Sequence, residues 1–529
     1  MTIETLIFKE IGLLPELFLG ISLIYLVLHG TFLSVSKKYP LIQSSNLYLS
    51  ILILLMVCFL LYNDNLEVLD HSIFNNSVAN DYLSYASKFM LGISCIICLM
   101  MIQQYTIDQK INHFEYILIF LFAILGILLL CSSNDLITAY LAIELQSLAF
   151  YVLAAFKKDS TFSVDAGLKY FILGAFSSSL LLFGFSIVYG VTGTTNFEDF
   201  KDLFFSVYPG NTFDYVKDSA LLNVTNPMDY QDNLYFSTSF DASLLNFALV
   251  FILVSLFFKL ALAPFHLWSP DVYEGSLSSS TFFFAVIPKL GIFVLLLRIF
   301  YYSFYGFIDS WRYYVVIVAI LSIIIGSFVG LEQRKLKSLL AYSSISHMGY
   351  SLIAFSTGTF EGIQMLLSYL IIYMCSGLCI WSIFLLTRLK NNTEKKQNKD
   401  LTDLVLLSKS NKMLAIFLAT VLLSIAGFPP MIGFLVKIGV FLASIEASMY
   451  FVALISILCS VVSTFYYIRL VKILFFEKVL VGKLYYPIAV QRSVVVVFLF
   501  YLFLFLFINP SLLYLFSQKI SLISVINVY

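Results

Sequence analysis

Charged residues are scarce in this chain. Of its 529 residues, 12% are Asp, Glu, Lys or Arg, whereas 60% are hydrophobic and the mean hydropathy is +0.94. This composition excludes both a water-soluble globular domain and a disordered chain. The apolar runs are continuous rather than alternating, which argues against a β-barrel. The sequence therefore predicts an all-α integral membrane protein.

Motifs for nucleotides and redox groups are also missing. No glycine-rich phosphate-binding pattern stands beside a strand and a helix, so we expect no nucleotide, flavin or iron–sulfur cofactor and no nucleic-acid partner. The seven cysteines are scattered singly. Cys95 and Cys98 have the spacing of a metal or redox pair, but they lie in an apolar run without a second pair or a histidine. We interpret them as packed small side chains.

The N-terminus has neither a cleavable signal nor an Arg-rich transit sequence before its first apolar run. Such a start is expected of a protein made in the compartment where it is inserted. Phe and Tyr are frequent, with 53 and 34 residues. Aromatic belts at the membrane surfaces would explain them, and so would the codon bias of an AT-rich organelle genome, because they are not confined to the ends of apolar runs.

Fourteen apolar segments, each of about 20 residues, predict spanning helices. They cover roughly 11–31, 45–62, 84–104, 114–131, 134–155, 166–190, 244–268, 278–302, 313–330, 338–356, 360–387, 411–443, 449–471 and 494–516. Between them, the acidic segment at about 193–243 predicts a surface insertion without recognisable chemistry.

Basic residues orient the predicted spans. Of the 31 Lys and Arg residues, 20 fall on the side of the first loop and 7, including Lys88 and Arg298, on the other. The positive-inside rule then places the first loop in the matrix or cytoplasm and both termini on the opposite side. The four that remain lie within predicted spans: Lys169, Lys259, Lys289 and Lys437. A buried lysine, unlike arginine, can lose its charge, as proton transfer requires. Interior ion pairs or lysines that reach the membrane surface are the alternative.

Prolines accompany two of these lysines. Lys259 and His266 are two helical turns apart, but Pro264 stands between them and lacks the N–H that a continuous helix needs. Lys437 follows Pro429 and a second proline in the twelfth span. The two broken spans are five apart in the chain. Consecutive spans cross the membrane in alternating directions, so an offset of an odd number of spans reverses the direction. Two five-helix units, spans 4–8 and 9–13, would therefore be inserted in opposite senses, as in the inverted repeats of ion-coupled transporters.

Other polar residues lie in predicted spans. Glu144 is an acid deep in the fifth span, where a lysine partner is the natural inference because an unpaired carboxylate is costly in a membrane. Lys289 directly follows Pro288 in the eighth span. His347 lies in a hydroxyl-rich part of the tenth span and is either a proton relay or a core side chain with satisfied hydrogen bonds. Glu16, near a span end, is interpreted as structural or interfacial.

Several runs resemble one family. Residues 259–275, Lys-Leu-Ala-Leu-Ala-Pro-Phe-His-Leu-Trp-Ser-Pro-Asp-Val-Tyr-Glu-Gly, resemble the signature of the antiporter-like membrane-arm subunits of respiratory complex I. Residues 140–147, 166–177, 340–350 and 466–472 are also similar to members of this family. The resemblance extends from about residue 15 to about residue 510. The insertion at about 193–243 is longer than the resemblance leads us to expect.

The resemblance implies fourteen helices, two inverted repeats and a proton path through the membrane. It implies these proton-translocating residues: Glu144, Lys169, Lys259, His266, Lys289, His347 and Lys437. Glu144 would be the ion-pair partner of Lys259. Lys289 would be a link along a central polar axis, and Lys437 would be the lysine of the far channel.

The expected organisation has four parts: helices 1–3 in 1–113, the first repeat in 114–302, the second repeat in 313–471, and a C-terminal helix and tail in 472–529. The resemblance implies a proton-pumping subunit of the mitochondrial inner membrane, coupled to quinone reduction elsewhere in complex I. NADH, FMN, iron–sulfur clusters and ubiquinone would be held by other subunits. Expected partners are other complex I subunits, especially neighbouring antiporter-like ones, and lipids such as cardiolipin. A stand-alone cation/proton antiporter, a structural scaffold with inert ion pairs, and a bacterial or plastid relative are the alternatives.

Overall fold

The chain is an all-α membrane protein. The computed structural model describes residues 11–34, 42–63, 71–109, 111, 113–205, 242–390, 395–397, 400–405, 407–477 and 490–526. Most of the predicted acidic insertion, 206–241, lies outside the described residues, as do both termini. Within the described ranges, twelve helices are long and apolar enough to cross a membrane.

The helices are numbered in chain order. They are α1 (Leu14–Ser34), α2 (Ile42–Asn63), α3 (Tyr82–Asp108), α4 (Glu115–Ser132), α5 (Leu136–Ala154), α6 (Thr161–Thr192), α7 (Phe197–Phe205), α8 (Ala242–Leu260), α9 (Trp268–Gly275), α10 (Ser278–Val286), α11 (Pro288–Leu296), α12 (Ile308–Glu332), α13 (Leu336–Ser356), α14 (Phe360–Leu386), α15 (Leu407–Ser410), α16 (Lys412–Ala426), α17 (Ile432–Glu446), α18 (Tyr450–Phe475), α19 (Val490–Ile508) and α20 (Ser511–Ile526). Two short antiparallel hairpins join β1 (His71–Ile73) to β2 (Val78–Asn80) and β3 (Arg388–Lys390) to β4 (Lys395–Gln397).

The centre of the bundle is the eighth predicted span. It is divided into α10 and α11, followed by a π-helical segment, Leu297–Ser303. All residues of α10 and α11 are buried. The division falls at Pro288, which has no N–H to continue the hydrogen-bond ladder of α10. This position places the next residue, Lys289, inside the bundle.

The seventh predicted span is broken. Helix α8 ends at Leu260, and α9 begins only at Trp268. The break starts three residues before Pro264, at Ala261, whose φ of +59° cannot continue a right-handed helix. The Trp268 indole donates a 3.1 Å hydrogen bond to the carbonyl of Phe258. The Phe258 carbonyl therefore has two partners, because the N–H of Ala261, just beyond α8, also donates to it at 3.0 Å.

The twelfth predicted span consists of two helices, α16 and α17, of 15 residues each. Gly427 ends α16 with a φ of +90°, a left-handed conformation that glycine adopts without steric cost. The hydroxyl of Ser424 accepts a 3.1 Å hydrogen bond from the N–H of Gly433 in the first turn of α17. This side chain of α16 thus provides a hydrogen-bond acceptor for a backbone N–H that the first turn of α17 would otherwise leave unpaired.

The C-terminal prediction was wrong in one respect. A single span was expected over 494–516, but α19 ends at Ile508 and α20 begins after Pro510. Helix α20 packs against α14 and α3, with the Gln364 amide donating to the carbonyl of Tyr514 at 3.3 Å. The chain thus adds a short packed helix where we expected the end of a span.

Candidate functional site

Lys259 lies at the end of α8, beside α5. Its Nζ donates a 3.3 Å hydrogen bond to the hydroxyl of Tyr151 and lies 5.8 Å from the centre of that ring. Tyr151 follows Glu144 by two helical turns, on the same face of α5. Glu144 is near enough for its charge to act on Lys259, but the two groups form no ion pair.

Glu144 has an incomplete set of contacts. Its Oε2 accepts a long hydrogen bond of 3.5 Å from the hydroxyl of Ser147. Its buried Oε1 has no hydrogen-bond partner among the described residues. The carboxylate is therefore able to accept a further hydrogen bond or a charged partner without losing a strong one.

Lys259 and Lys289 line one cavity. Its volume is about 20 Å³, and its polar walls also include Ser147, Gln146 and Tyr170. A cavity of this size and polarity can hold about one water molecule. The cavity therefore gives the two lysines a shared polar space of about the size of one water molecule.

Lys289 stands in the first turn of α11 and is 4% exposed. Its Nζ donates a 2.8 Å hydrogen bond to the hydroxyl of Tyr373 on α14 and lies 4.8 Å from the ring centre. The Tyr373 hydroxyl in turn donates to the carbonyl of Ala285 at 3.0 Å. Tyr373 thus holds Lys289 toward α14.

His347, on α13, is fixed through both ring nitrogens. Nδ1 lies 2.7 Å from the hydroxyl of Tyr369, and Nε2 lies 3.0 Å from the hydroxyl of Tyr467. In a neutral imidazole one of these nitrogens donates and the other accepts, so a proton gained at one can be passed on from the other.

Lys437, on α17, is 5% exposed and lies beside the break in its span. Its Nζ donates a 3.0 Å hydrogen bond to the carbonyl of Ala426, a terminal carbonyl of α16. It also lies 5.4 Å from the ring centre of Tyr350, within cation–π range. The broken helix thus supplies the lysine with its polar partner.

A second cavity, of about 30 Å³, joins the later members of the site. Its lining includes His347, Lys437 and Tyr373. Tyr373 therefore contacts Lys289 on one side and the cavity of His347 and Lys437 on the other. The four basic residues Lys259, Lys289, His347 and Lys437, which we call the buried line, follow one another through two cavities and one tyrosine.

The structure places two predicted site residues apart from the buried line. Lys169 is exposed and forms a 2.5 Å ion pair with Asp271 of α9. His266 is buried in the turn between α8 and α9, near the ring of Tyr342, and its Nδ1 has no hydrogen-bond partner in the described part of the chain. Both residues border the break in the seventh span.

Sequence reasoning missed the tyrosines and misplaced two cations. Tyr151 and Tyr373 occupy ordinary apolar runs, and no local pattern distinguishes them from other aromatic residues. Lys88 and Arg298 were counted with the basic residues of the opposite side, at the ends of the third and eighth predicted spans, but both are buried in helical segments. Lys88 pairs with Glu16, which had been interpreted as structural or interfacial. The excess of basic residues on the side of the first loop is therefore larger than counted.

Comparisons with known proteins agree with this architecture. The family described as NADH:quinone oxidoreductase/Mrp antiporter, TM, matches residues 133–463. The chain is 38% identical to NADH-ubiquinone oxidoreductase chain 2 of Marchantia polymorpha over 515 residues, 97% of this chain and 98% of the relative. It is also 38% identical to NADH-quinone oxidoreductase subunit N of Pelagibacter ubique over 468 residues, 88% of this chain and 89% of the relative.

Among solved structures, a chain of respiratory complex I from Thermus thermophilus with bound Aureothin is similar, with a TM-score of 0.74 and 26% identity. The likeness covers 94% of this chain and 98% of that chain. Together with the family match over most of the chain, these relatives identify the protein as a member of the NADH-ubiquinone oxidoreductase chain 2 and subunit N family, the antiporter-like membrane subunits of complex I.

Proposed function

We propose that this membrane-arm subunit of complex I moves protons along the buried line, in the order Lys259, Lys289, His347 and Lys437 or its reverse. The contact between Lys289 and Tyr373 carries the proposal, because Tyr373 also lines the cavity of His347 and Lys437. Without it, the two cavities would be separate polar pockets. With it, each protonatable group has a hydroxyl or a cavity between itself and the next.

The energies are on a suitable scale. Moving one proton across the membrane against its potential costs about 2.3 kcal/mol of free energy per 100 mV. One pKa unit corresponds to about 1.36 kcal/mol, and buried lysines can shift by about 3–5 units. A change in the charge or partner of one lysine is therefore large enough to drive a proton to its neighbour.

Glu144 is the group that we propose changes the state of Lys259. The carboxylate and the amine are apart in this structure, with Lys259 on Tyr151 and Glu144 Oε1 without a hydrogen bond among the described residues. Formation of their ion pair would favour the charged lysine, and its rupture would favour proton release. Quinone reduction elsewhere in the complex would bias this choice. Lys169 and His266, beside the same break, are proposed to act with the pair.

We propose a fold of fourteen spans with two inverted five-helix repeats. The twelve candidate spans, together with α13 and the broken pair α16 and α17, support that number. The broken spans with Lys259 and Lys437 are five spans apart, which supports opposite insertion of the two repeats. Discontinuous helices near the middle of the membrane are the usual ion sites of such transporters.

The proposed location is the mitochondrial inner membrane, with both termini toward the intermembrane space. Chain 2 proteins of NADH-ubiquinone oxidoreductase from Marchantia polymorpha and Arabidopsis thaliana support it, as does the excess of lysine in loops on one side. We propose other complex I subunits, above all antiporter-like neighbours, and lipids such as cardiolipin as partners. NADH, FMN, iron–sulfur clusters and ubiquinone would bind to other subunits.

The test is a substitution that keeps the charge but prevents its loss. Lys259→Arg in the assembled complex should lower the number of protons pumped per NADH, because arginine does not deprotonate in proteins. Lys335→Arg is the matched control, since Lys335 is exposed in an ion pair with Glu274. Normal pumping by fully assembled Lys259→Arg complex would refute the proposal. Cation exchange by the isolated chain would instead favour the antiporter.

A further inference from the structure

A second set of buried charges lies apart from the buried line. Glu16 of α1 and Lys88 of α3 form an ion pair of 2.5 Å, and both side chains are almost fully buried. Asp81, just before α3, pairs with Arg298 of the π-helical segment at 2.9 Å. We call these four residues the outer cluster, since the predicted orientation places them toward the side opposite the lysine-rich loops.

The outer cluster extends to the helix that carries Lys289. Helix α3, which carries Lys88, packs against α11, which carries Lys289, and both helices also pack against α4. The sulfur of Cys131 lies 3.9 Å from the position that a Cβ on Gly291 would occupy. Gly291 is two residues beyond Lys289, so Cys131 packs against the flank of α11 opposite Lys289, on the side where α3 and α4 meet α11.

Several buried atoms at the cluster lack hydrogen bonds. Glu16 Oε2, Asn80 Nδ2 and Arg298 Nε are without a hydrogen-bond partner in the described ranges. Asn80 lies against the turn just before α1, because its Nδ2 is 2.8 Å from where a Cβ on Gly12 would stand. A buried ion pair is stable only when its remaining hydrogen-bonding capacity is satisfied. Internal water typically binds to buried polar atoms of this kind, which have no partner in the protein.

The cluster also continues toward the surface. Glu198, in the short helix α7 outside the spans, accepts hydrogen bonds from Asn76 at 2.9 Å and Asn134 at 3.3 Å. Burial raises the pKa of Glu198, and the negative charge of nearby Asp81 adds to the rise. A carboxyl group that holds a proton more readily than usual therefore stands at the outer end of the cluster.

We propose that Glu16, Lys88, Asp81 and Arg298 form a water-containing proton-exchange site between the interior near Lys289 and the side opposite the lysine-rich loops. The Nζ proton of Lys88 passes to Oε1 of Glu16, which leaves a neutral amine and a neutral carboxylic acid. The acid gives this proton to water beside Asp81 and Arg298, and the amine regains one from the interior. The site rests on the proposed function, because that function brings protons into the interior.

Two kinds of variant separate proton exchange from a purely structural ion pair. Lys88→Arg keeps the positive charge and the pair with Glu16, but it removes the ability to release a proton. The double variant Glu16→Gln with Lys88→Met replaces the pair by neutral side chains of similar length. A structural pair tolerates both in an assembled complex. A proton-exchange site tolerates neither.

The measurement is the number of protons released per NADH oxidised by reconstituted, fully assembled complex, with Lys335→Arg as the control. We expect Lys88→Arg and the double variant to lower this number while NADH oxidation in the presence of a protonophore stays unchanged. Wild-type proton release in either assembled variant would overturn the proposal. Failure of both variants to assemble would also overturn it, because the pair would then be a requirement of folding.

A high-resolution map of the assembled complex gives an independent readout. We expect ordered water within hydrogen-bond distance of Glu16 Oε2, Asn80 Nδ2 and Arg298 Nε. Direct protein contacts to these atoms, with no water, would overturn the proposal. The result is distinguishable from the failure of the buried line, which the Lys259→Arg measurement decides separately.

Discussion

The hydroxyl of Tyr373 is the group that connects the two cavities of the proposed path. Its removal therefore tests the path directly. Tyr373→Phe deletes one oxygen and keeps the ring against which Lys289 packs. Hydrogen bonds to charged groups contribute about 1.5–3 kcal/mol. Because about 1.36 kcal/mol corresponds to a factor of ten in rate, proton transfer past Lys289 should slow by about 10–150-fold.

The assay is proton pumping and NADH oxidation measured together in reconstituted complex. We expect Tyr373→Phe to lower the rate of pumping strongly, with normal assembly because the volume of the side chain hardly changes. Tyr313→Phe is the control, since Tyr313 is an exposed tyrosine of α12. A Tyr373→Phe complex that pumps at the wild-type rate would refute the role of this hydroxyl and separate the two cavities.

Three further substitutions test other parts of the site. Gly433→Ala should destabilise the complex by about 1–3 kcal/mol in thermal unfolding, because its Cβ would lie 2.0 Å from the carbonyl oxygen of Ser424; an unchanged unfolding temperature would show that α16 and α17 are not closely packed. Lys437→Arg should lower the protons pumped per NADH, and undiminished pumping would remove Lys437 from the line. Lys169→Gln should leave the unfolding temperature nearly unchanged, since its pair with Asp271 is exposed; a loss of pumping as large as that of Lys259→Arg would place it on the main path.

Much of the site could be predicted from the sequence, because charged side chains are rare in membrane spans and a buried lysine therefore stands out. Lys259, Lys289 and Lys437 were found as cations that no loop could accommodate, and the structure places each beside a helix break or division. The breaks themselves followed from proline chemistry. Near Pro264, α8 ends at Leu260, the residue whose carbonyl the proline ring would crowd in a continuous helix.

The partners of these cations could not be predicted, because they depend on packing between distant segments. Tyr373 is 84 residues from Lys289 and meets it because α10, which directly precedes the segment of Lys289, packs against α14. The Glu144–Lys259 ion pair, implied by the resemblance, is not formed in this structure, where Tyr151 bonds the lysine instead. The pair remains a prediction about another state of the protein.

Hydropathy misassigned the outer cluster for a physical reason. Lys88 and Arg298 each lie near the end of an apolar run, where a lysine or arginine ordinarily extends to the aqueous surface. Burial is possible here because each cation meets a carboxylate from another segment, Glu16 or Asp81. Ion pairs between residues far apart in the chain cannot be detected from the hydropathy of one short stretch of sequence.

The central claim is that protons pass between Lys259 and Lys437 through two small polar cavities bridged by Tyr373. The most direct test is a map of the whole complex in which individual waters are resolved. We predict ordered water between Lys259 and Lys289, and again beside His347 and Lys437, with the Tyr373 hydroxyl between the two sites. Dry cavities, or apolar side chains closing the gap between Lys289 and His347, would contradict it.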